Sequence, residues 1–162
     1  MSITRRELLR RAGALGMVAF IPVLSRCNGE DGDGLPVYEY DGPLGPENLF
    51  ENGVASGDPL ADSVILWTRV LPEAVDGASI EVFVEVAEDV EFTKRALAGW
   101  EVASEEKSYC LKLDAVGLEA DTTYYYRFYA QGRVSPMGRT KTLPKGSVDH
   151  VRLGVCACSN YA

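Results

Sequence analysis

The chain has 162 residues, 46% of them hydrophobic and 25% charged, which leaves room for one ordinary globular domain and a leader but not for two full domains. Its net charge of −8 divides into +4 for residues 1–27 and −12 for residues 28–162. Because so acidic a body repels phosphate backbones, nucleic-acid binding through a basic face is excluded.

The first segment has the pattern of an export leader. Residues 4–10 are rich in Arg, and the 13 residues from 12 to 24 carry no charge. An uncharged stretch of that length matches a signal peptide, whereas a membrane-spanning helix needs about 20 apolar residues. Arg5 and Arg6, followed by Leu8 and Leu9, resemble the signal of the twin-arginine (Tat) translocase, an address read by a receptor. A general secretory signal with a basic start is the alternative.

The end of the leader leaves its processing open. Residues 24–27 (LSRC) resemble a lipobox, which makes Cys27 the candidate for lipidation and a lipid anchor. Arg26 departs from the small residue expected before that Cys. An uncleaved or differently cleaved leader is the alternative. The leader therefore predicts a protein in the periplasm, outside the cell, or anchored at the cell surface.

Residues 28–47 are acidic and poor in apolar side chains. They contain five Gly, three Pro and six acidic residues. Such a composition buries too little surface to offset the entropy of ordering. It predicts a flexible linker between the leader, residues 1–27, and a domain that begins at residue 48.

From residue 49 onward, apolar residues recur every second position between turn signals, which is typical of β-strands. The runs begin at Ile80, Tyr109 and Tyr124, and further strands are predicted at residues 52–55, 63–70 and 134–143. Residues 88–106 fit either an edge strand with a long loop or a short helix at residues 92–97. Six or seven strands predict an all-β fold, an Ig-like antiparallel β-sandwich over residues 48–144.

Aromatic residues specify this fold further. Residues 63–67 (SVILW) resemble the strand that buries a large Trp in fibronectin type III domains, so Trp67 is predicted in the core. Residues 118–127 resemble the loop and strand of a tyrosine corner, in which Tyr124 bonds back to upstream backbone. On the opposite face, Tyr125 and Tyr129 are exposed strand tyrosines or, alternatively, a carbohydrate-stacking platform.

Three segments resemble the PhoD-like family of alkaline phosphatases and phosphodiesterases. Residues 50–59 (FENGVASGDP) and 62–70 (DSVILWTRV) resemble the opening of its N-terminal domain, and residues 151–161 (VRLGVCACSNY) the first strand of its metallophosphatase domain. The Tat-like leader precedes them, as in the family. The resemblance implies that residues 145–162 begin a truncated catalytic domain. It also implies that the whole enzyme hydrolyses phosphate mono- and diesters with iron and calcium.

Residues that could bind metal are few. The resemblance implies that Cys158 is an iron ligand, with Cys156 two residues earlier, while a buried cysteine at a strand end is the alternative. The chain has one histidine, His150, and neither an Asp-x-His nor a Gly-Asn-His motif. Residues 57–62 (GDPLAD) fit a turn better than a metal motif. We therefore expect no catalytic or cofactor-binding residues in this chain, and no structural disulfide among its four cysteines.

The sequence thus predicts an inactive accessory domain that packs against its own missing catalytic domain, in an exported phosphatase acting on phosphate esters. An Ig-like surface module for binding or adhesion is the alternative. A complete enzyme is excluded, because neither a Ser-His-Asp arrangement nor a pair of carboxylates can be placed.

Overall fold

The computed structural model describes residues 33–71 and 79–150. Over these ranges it contains eight strands, all paired antiparallel, and one short 3-10 helix, Glu105–Lys107. The strands are β1 (Val54–Gly57), β2 (Ser63–Arg69), β3 (Ile80–Ala87), β4 (Arg95–Ala103), β5 (Cys110–Val116), β6 (Thr123–Ala130), β7 (Arg133–Val134) and β8 (Gly138–Lys141). The predicted all-β class is confirmed.

The strands form two sheets. The smaller sheet has the order β1-β2-β5, and the larger has the order β4-β3-β6-β7, with β8 also paired to β6. Leu66 lies opposite Leu113 in the first sheet, and Val84 lies opposite Phe128 in the second. Each of these four side chains is at most 2% exposed. The inner faces therefore pack together as a β-sandwich.

Alternation explains which residues enter the core. Along β6, Tyr124, Tyr126, Phe128 and Ala130 are buried and alternate with half-buried side chains. Strand β3 differs, because seven of its eight residues are buried, on both faces. A strand buried on both faces must be covered on its outer side as well.

Trp67 is a correction to the sequence prediction. It is half-buried and does not belong to the core. Because side chains alternate along β2, Val64, Leu66 and Thr68 face inward and are 0% exposed. Trp67 consequently lies on the outer face of the smaller sheet, opposite Lys112 in the strand register.

The structure decides the ambiguous segment 88–106. Its second half is β4, an edge strand that pairs with β3 from Ile80 opposite Ala103 to Ala87 opposite Arg95. The helix alternative is wrong, because Phe92 adopts a positive φ of 58° in a turn. The other predicted strands are present, some with shifted bounds. The strand predicted at residues 52–55 is β1, Val54–Gly57, and the run predicted over residues 134–143 is divided between β7, which begins at Arg133, and β8.

Candidate functional site

The loop before β6 is fixed by a buried tyrosine. Tyr124 is 1% exposed, and its hydroxyl accepts a hydrogen bond of 2.9 Å from the backbone N–H of Glu119. Burial raises the pKa of this phenol. Gly117 turns the chain into the loop with φ at 84°, a conformation that glycine adopts without strain. The contact from a core tyrosine to upstream backbone is the arrangement of a tyrosine corner.

The same loop holds the chain where it leaves the last strand. Thr142 is 1% exposed, and its hydroxyl accepts from the N–H of Thr122 at 3.0 Å and donates to the carbonyl oxygen of Glu119 at 2.6 Å. The N–H of Leu143 donates to the carbonyl oxygen of Leu60 at 2.8 Å. We call Thr142 and Leu143 the exit anchor. Its bonds to two loops fix the direction in which the chain continues.

Two exposed apolar side chains accompany the exit anchor. Leu143 is 47% exposed and Val116 is 49% exposed. Leu60, which binds Leu143, also donates its N–H to Ser63, and Ser63 lies opposite Val116 in the strand register. Both apolar side chains therefore lie at the end of the sandwich from which the chain departs.

Three aromatic rings cover the outer face of the larger sheet. Phe83 lies opposite Trp100 on β4 and opposite Tyr129 on β6. The ring centroids are 5.1 Å apart for Phe83 and Trp100, and 6.1 Å apart for Phe83 and Tyr129. These distances are typical of favourable aromatic pairs. We call these three residues the aromatic face.

A buried ion pair borders the aromatic face. Glu85 is 6% exposed, and its carboxylate accepts from the guanidinium of Arg127 at 2.5 Å and from the hydroxyl of Tyr129 at 2.7 Å. The Arg127 guanidinium also lies 3.8 Å from the ring centroid of Phe92. Burial, followed by the hydrogen bond to Glu85, raises the pKa of Tyr129 well above its usual range. The charge on Glu85 is therefore paired within the sheet.

Residues 33–45 lie across the aromatic face, and we call them the strap. The ring of Tyr38 stacks on Tyr129 with centroids 4.8 Å apart and lies 5.6 Å from Trp100. Its hydroxyl accepts from the N–H of Gly132 at 2.8 Å. The strap thus covers the outer side of β3. For residues 33–45 the structure differs from the composition-based prediction of a linker without packing.

Both ends of the strap are held by polar contacts. The guanidinium of Arg95, only 5% exposed as a side chain, donates two hydrogen bonds of 2.8 Å to the carboxylate of Asp33. These bonds lower the pKa of Asp33. At the other end, Gly45 donates its N–H to Gln131 and accepts from the side chain of Arg133, at 2.9 and 2.8 Å. The strap is therefore anchored on both sides of Tyr38.

Only some of the residues singled out by the sequence lie in the described part of the chain. Arg5, Arg6, Cys27 and Cys158 lie outside the described residues, so their roles stay predictions. Tyr129, considered for carbohydrate stacking, is covered by Tyr38 instead. The contacts of Arg95 and Tyr38 were missed by the sequence analysis. The available signal was the pair of tyrosines, at positions 38 and 40, in a segment with few apolar residues.

The described residues offer no set of side chains that could bind the iron and calcium implied by the resemblance. Within residues 33–71 and 79–150, no three His, Cys, Asp or Glu side chains converge. Cys110, on β5, is a half-buried free thiol. Among the same residues, no helix has the length and apolar character required to cross a membrane.

Comparison with known proteins gives three findings. A family profile described as "PhoD-like phosphatase, N-terminal domain" matches residues 43–144. Alkaline phosphatase D of Bacillus subtilis (strain 168) is 40% identical over 119 residues, which are 69% of this chain and 20% of that protein. A solved structure of PhoD is similar with a TM-score of 0.60 and 37% identity, covering 70% of this chain and 22% of the other. The chain spans about a fifth of the length of the curated relative it matches.

Proposed function

Since the chain belongs to the PhoD-like phosphatase family through its N-terminal domain, we propose that it is the accessory domain of an exported, metal-dependent phosphatase or phosphodiesterase. The observation that carries the proposal is the extent of the match. The family profile ends at residue 144, and the curated alkaline phosphatase is about five times longer than the matched segment. In the proposal, residues 145–162 begin the catalytic domain, which acts on phosphate esters.

The exit anchor supports a fixed attachment of that catalytic domain. Thr142 is bonded to the tyrosine-corner loop and Leu143 to the loop before β2. Bonds on both sides of the departing chain leave little freedom for a hinge at this point. The partner in the proposal is therefore the chain's own catalytic domain, seated against the end of the sandwich that carries Val116 and Leu143.

The chemistry belongs to the proposed catalytic domain. A metal cluster there would supply an activated water and stabilise the phosphoryl oxygens, and the family resemblance implies that Cys158 would be one iron ligand. The described residues offer no ligand set for it. The proposed role of the sandwich is to support the catalytic domain and shape the entrance to its site.

A domain exchange tests the accessory role. Residues 43–144 would replace the corresponding domain of the Bacillus subtilis alkaline phosphatase D, to which the chain is 40% identical. We expect the chimera to fold and to hydrolyse a chromogenic phosphate ester, whereas residues 1–162 alone give no turnover with iron and calcium. A folded chimera no more active than a variant lacking the N-terminal domain would contradict the proposal. Turnover by residues 1–162 would contradict the division of roles.

The exit anchor offers a matched pair of variants in that chimera. Thr142→Val keeps the shape of the side chain but removes its hydrogen bonds, whereas Thr93→Val changes an exposed threonine in the 88–94 loop. We expect Thr142→Val to lower kcat/KM and thermal stability more than Thr93→Val does, because the attachment of the catalytic domain loosens. Equal effects would show that the anchor does not position that domain.

The export part of the proposal has its own test. Arg5→Lys and Arg6→Lys together keep the charge of the leader but remove the paired arginines. We expect the double variant to remain in the cytoplasm, because the Tat receptor reads the local sequence. Cell fractionation measures the outcome, and mass spectrometry of the exported N-terminus decides whether Cys27 carries lipid. Unchanged export of the double variant would remove the Tat assignment.

A further inference from the structure

The outer face of the larger sheet forms a groove with chemically distinct ends. Its floor is the aromatic face. At one end, Arg95 binds the carboxylate of Asp33 and also donates to the carbonyl oxygen of Pro36 at 2.9 Å. At the other end, the backbone of Gln131 and Gly132 binds Gly45 and Tyr38. The groove thus contacts a carboxylate, an aromatic ring and main-chain groups of the strap.

Neither the core between the sheets nor the pairing of Glu85 requires the strap. The core cluster begins at Leu49, so no strap residue belongs to it. The carboxylate of Glu85 is satisfied by Arg127 and Tyr129, both on β6. The buried carboxylate is therefore paired within the sheet, whereas the aromatic rings of the floor depend on Tyr38 of the strap for their cover.

The strap, in contrast, makes the contacts of a bound peptide. None of its residues reaches the buried class, and Tyr38, its central contact, is half-buried. The side chain of Asp33 is 31% exposed even when bound to Arg95. Both residues precede residue 43, where the match to the family domain begins. Asp33 and Tyr38 therefore precede the matched family domain, which includes only the last residues of the strap, 43–45.

We propose that this groove is a peptide-binding site and that the strap is its exchangeable occupant, supplied by the same chain. Its ligand class is an acidic peptide with a carboxylate five residues before an aromatic side chain, as Asp33 and Tyr38 are spaced. Arg95 binds the carboxylate through two parallel hydrogen bonds, a geometry that is typical of pairs of arginine and carboxylate. The aromatic face receives the ring. The site is independent of the proposed phosphatase function.

The test uses the whole chain and a synthetic peptide of residues 33–45. One protein carries Asp33→Asn and Tyr38→Ser, which weaken its own strap, and a second keeps the native strap. Both carry Trp67→Phe, so that Trp100 is the remaining tryptophan. We expect the peptide to change Trp100 fluorescence in the weakened protein with a midpoint of about 0.1 mM or lower. The native strap should raise the required concentration at least tenfold, because a tethered ligand has an effective concentration in the millimolar range.

Matched controls separate recognition from nonspecific adhesion. A peptide with the change Tyr38→Ser, or the weakened protein with Arg95→Gln, should bind at least tenfold more weakly. A peptide with Glu39→Gln should bind normally, because Glu39 is exposed and its side chain has no hydrogen bond or ion pair among the described residues.

Two results would overturn the proposal. If the weakened protein keeps its circular dichroism spectrum but fails to bind the peptide, the groove is not a peptide site. If that protein unfolds, the strap is an integral part of the domain and not an exchangeable ligand.

Discussion

The outer face of the larger sheet is covered by the strap, whereas the outer face of the smaller sheet carries Trp67, half-buried, opposite the exposed Lys112. The two faces contain similar strands with the same alternation of side chains. On the larger sheet, however, Phe83 is 0% and Glu85 is 6% exposed. The alternation of a strand identifies its core face, but a segment distant in sequence decides whether the opposite face also becomes buried.

This difference has energetic consequences. On the covered face, the carboxylate of Glu85 is removed from water. The stability of the domain therefore depends on the partners of this carboxylate, since a buried carboxylate without partners is costly. On the smaller sheet, Lys112 stays in water and depends on no partner. Substitutions on the two faces should therefore differ in effect, and the largest difference should occur at the buried charge.

The largest expected effect is that of Glu85→Ala. It removes the acceptor of both Arg127 and Tyr129, leaving a half-buried guanidinium and a phenol without their partner. We expect a loss of about 2 kcal/mol in the free energy of unfolding, because two hydrogen bonds to a charged acceptor are lost while the Arg127 guanidinium, 31% exposed, can still reach water. Urea denaturation followed by circular dichroism measures it.

The control for Glu85→Ala is Lys112→Ala, on the outer face of the smaller sheet. Substitution of this exposed side chain should change the free energy of unfolding by less than about 0.5 kcal/mol. If the two substitutions lower the free energy of unfolding equally, the outer faces of the two sheets do not differ in how far they are buried.

The two tryptophans provide a second test. Trp100 contacts Phe83 and Tyr38, with centroids 5.1 and 5.6 Å apart, whereas Trp67 has no ring contact among the described residues. Trp100→Ala should lower the free energy of unfolding by about 1 to 3 kcal/mol more than Trp67→Ala, since it loses two aromatic pairs of about 0.5 to 1.5 kcal/mol each. Chemical denaturation of both variants gives the comparison. A larger cost for Trp67→Ala would mean that the smaller sheet is the better covered one.

The strands and the loop at Tyr124 were predictable because their signals are local. Alternating residues identify β6, and the turn before it lies within seven residues of Tyr124. Trp67 was misplaced because it ends a run of apolar residues without alternation, from Val64 onward, which does not show which face is buried. The register of Leu66 opposite Leu113 resolves this, and it depends on a strand almost 50 residues away.

The strap was not predictable for a similar reason. Its composition correctly indicates that it has no core of its own, but its partners are distant in sequence. Asp33 and Arg95 are 62 residues apart, and Tyr38 and Gly132 are 94 residues apart. No local pattern reports such contacts. Only the folded sheet brings Arg95 and the aromatic face together where residues 33–45 can pack on them.

The smallest expected effect concerns acid release of the strap. The hydrogen bonds from Arg95 lower the pKa of Asp33 below its unfolded value of about 4. The stabilisation from this pair is therefore fully present above about pH 4 and is lost as pH falls through the lowered value, amounting to about 1 kcal/mol or less for a pair within reach of solvent. In the Trp67→Phe protein, Trp100 fluorescence should show a step below pH 4 that Asp33→Asn removes. Because an asparagine side chain does not titrate, a step that persists in the Asp33→Asn variant would belong to another carboxyl group. The strap would then be held on the larger sheet by Tyr38 and by main-chain contacts alone.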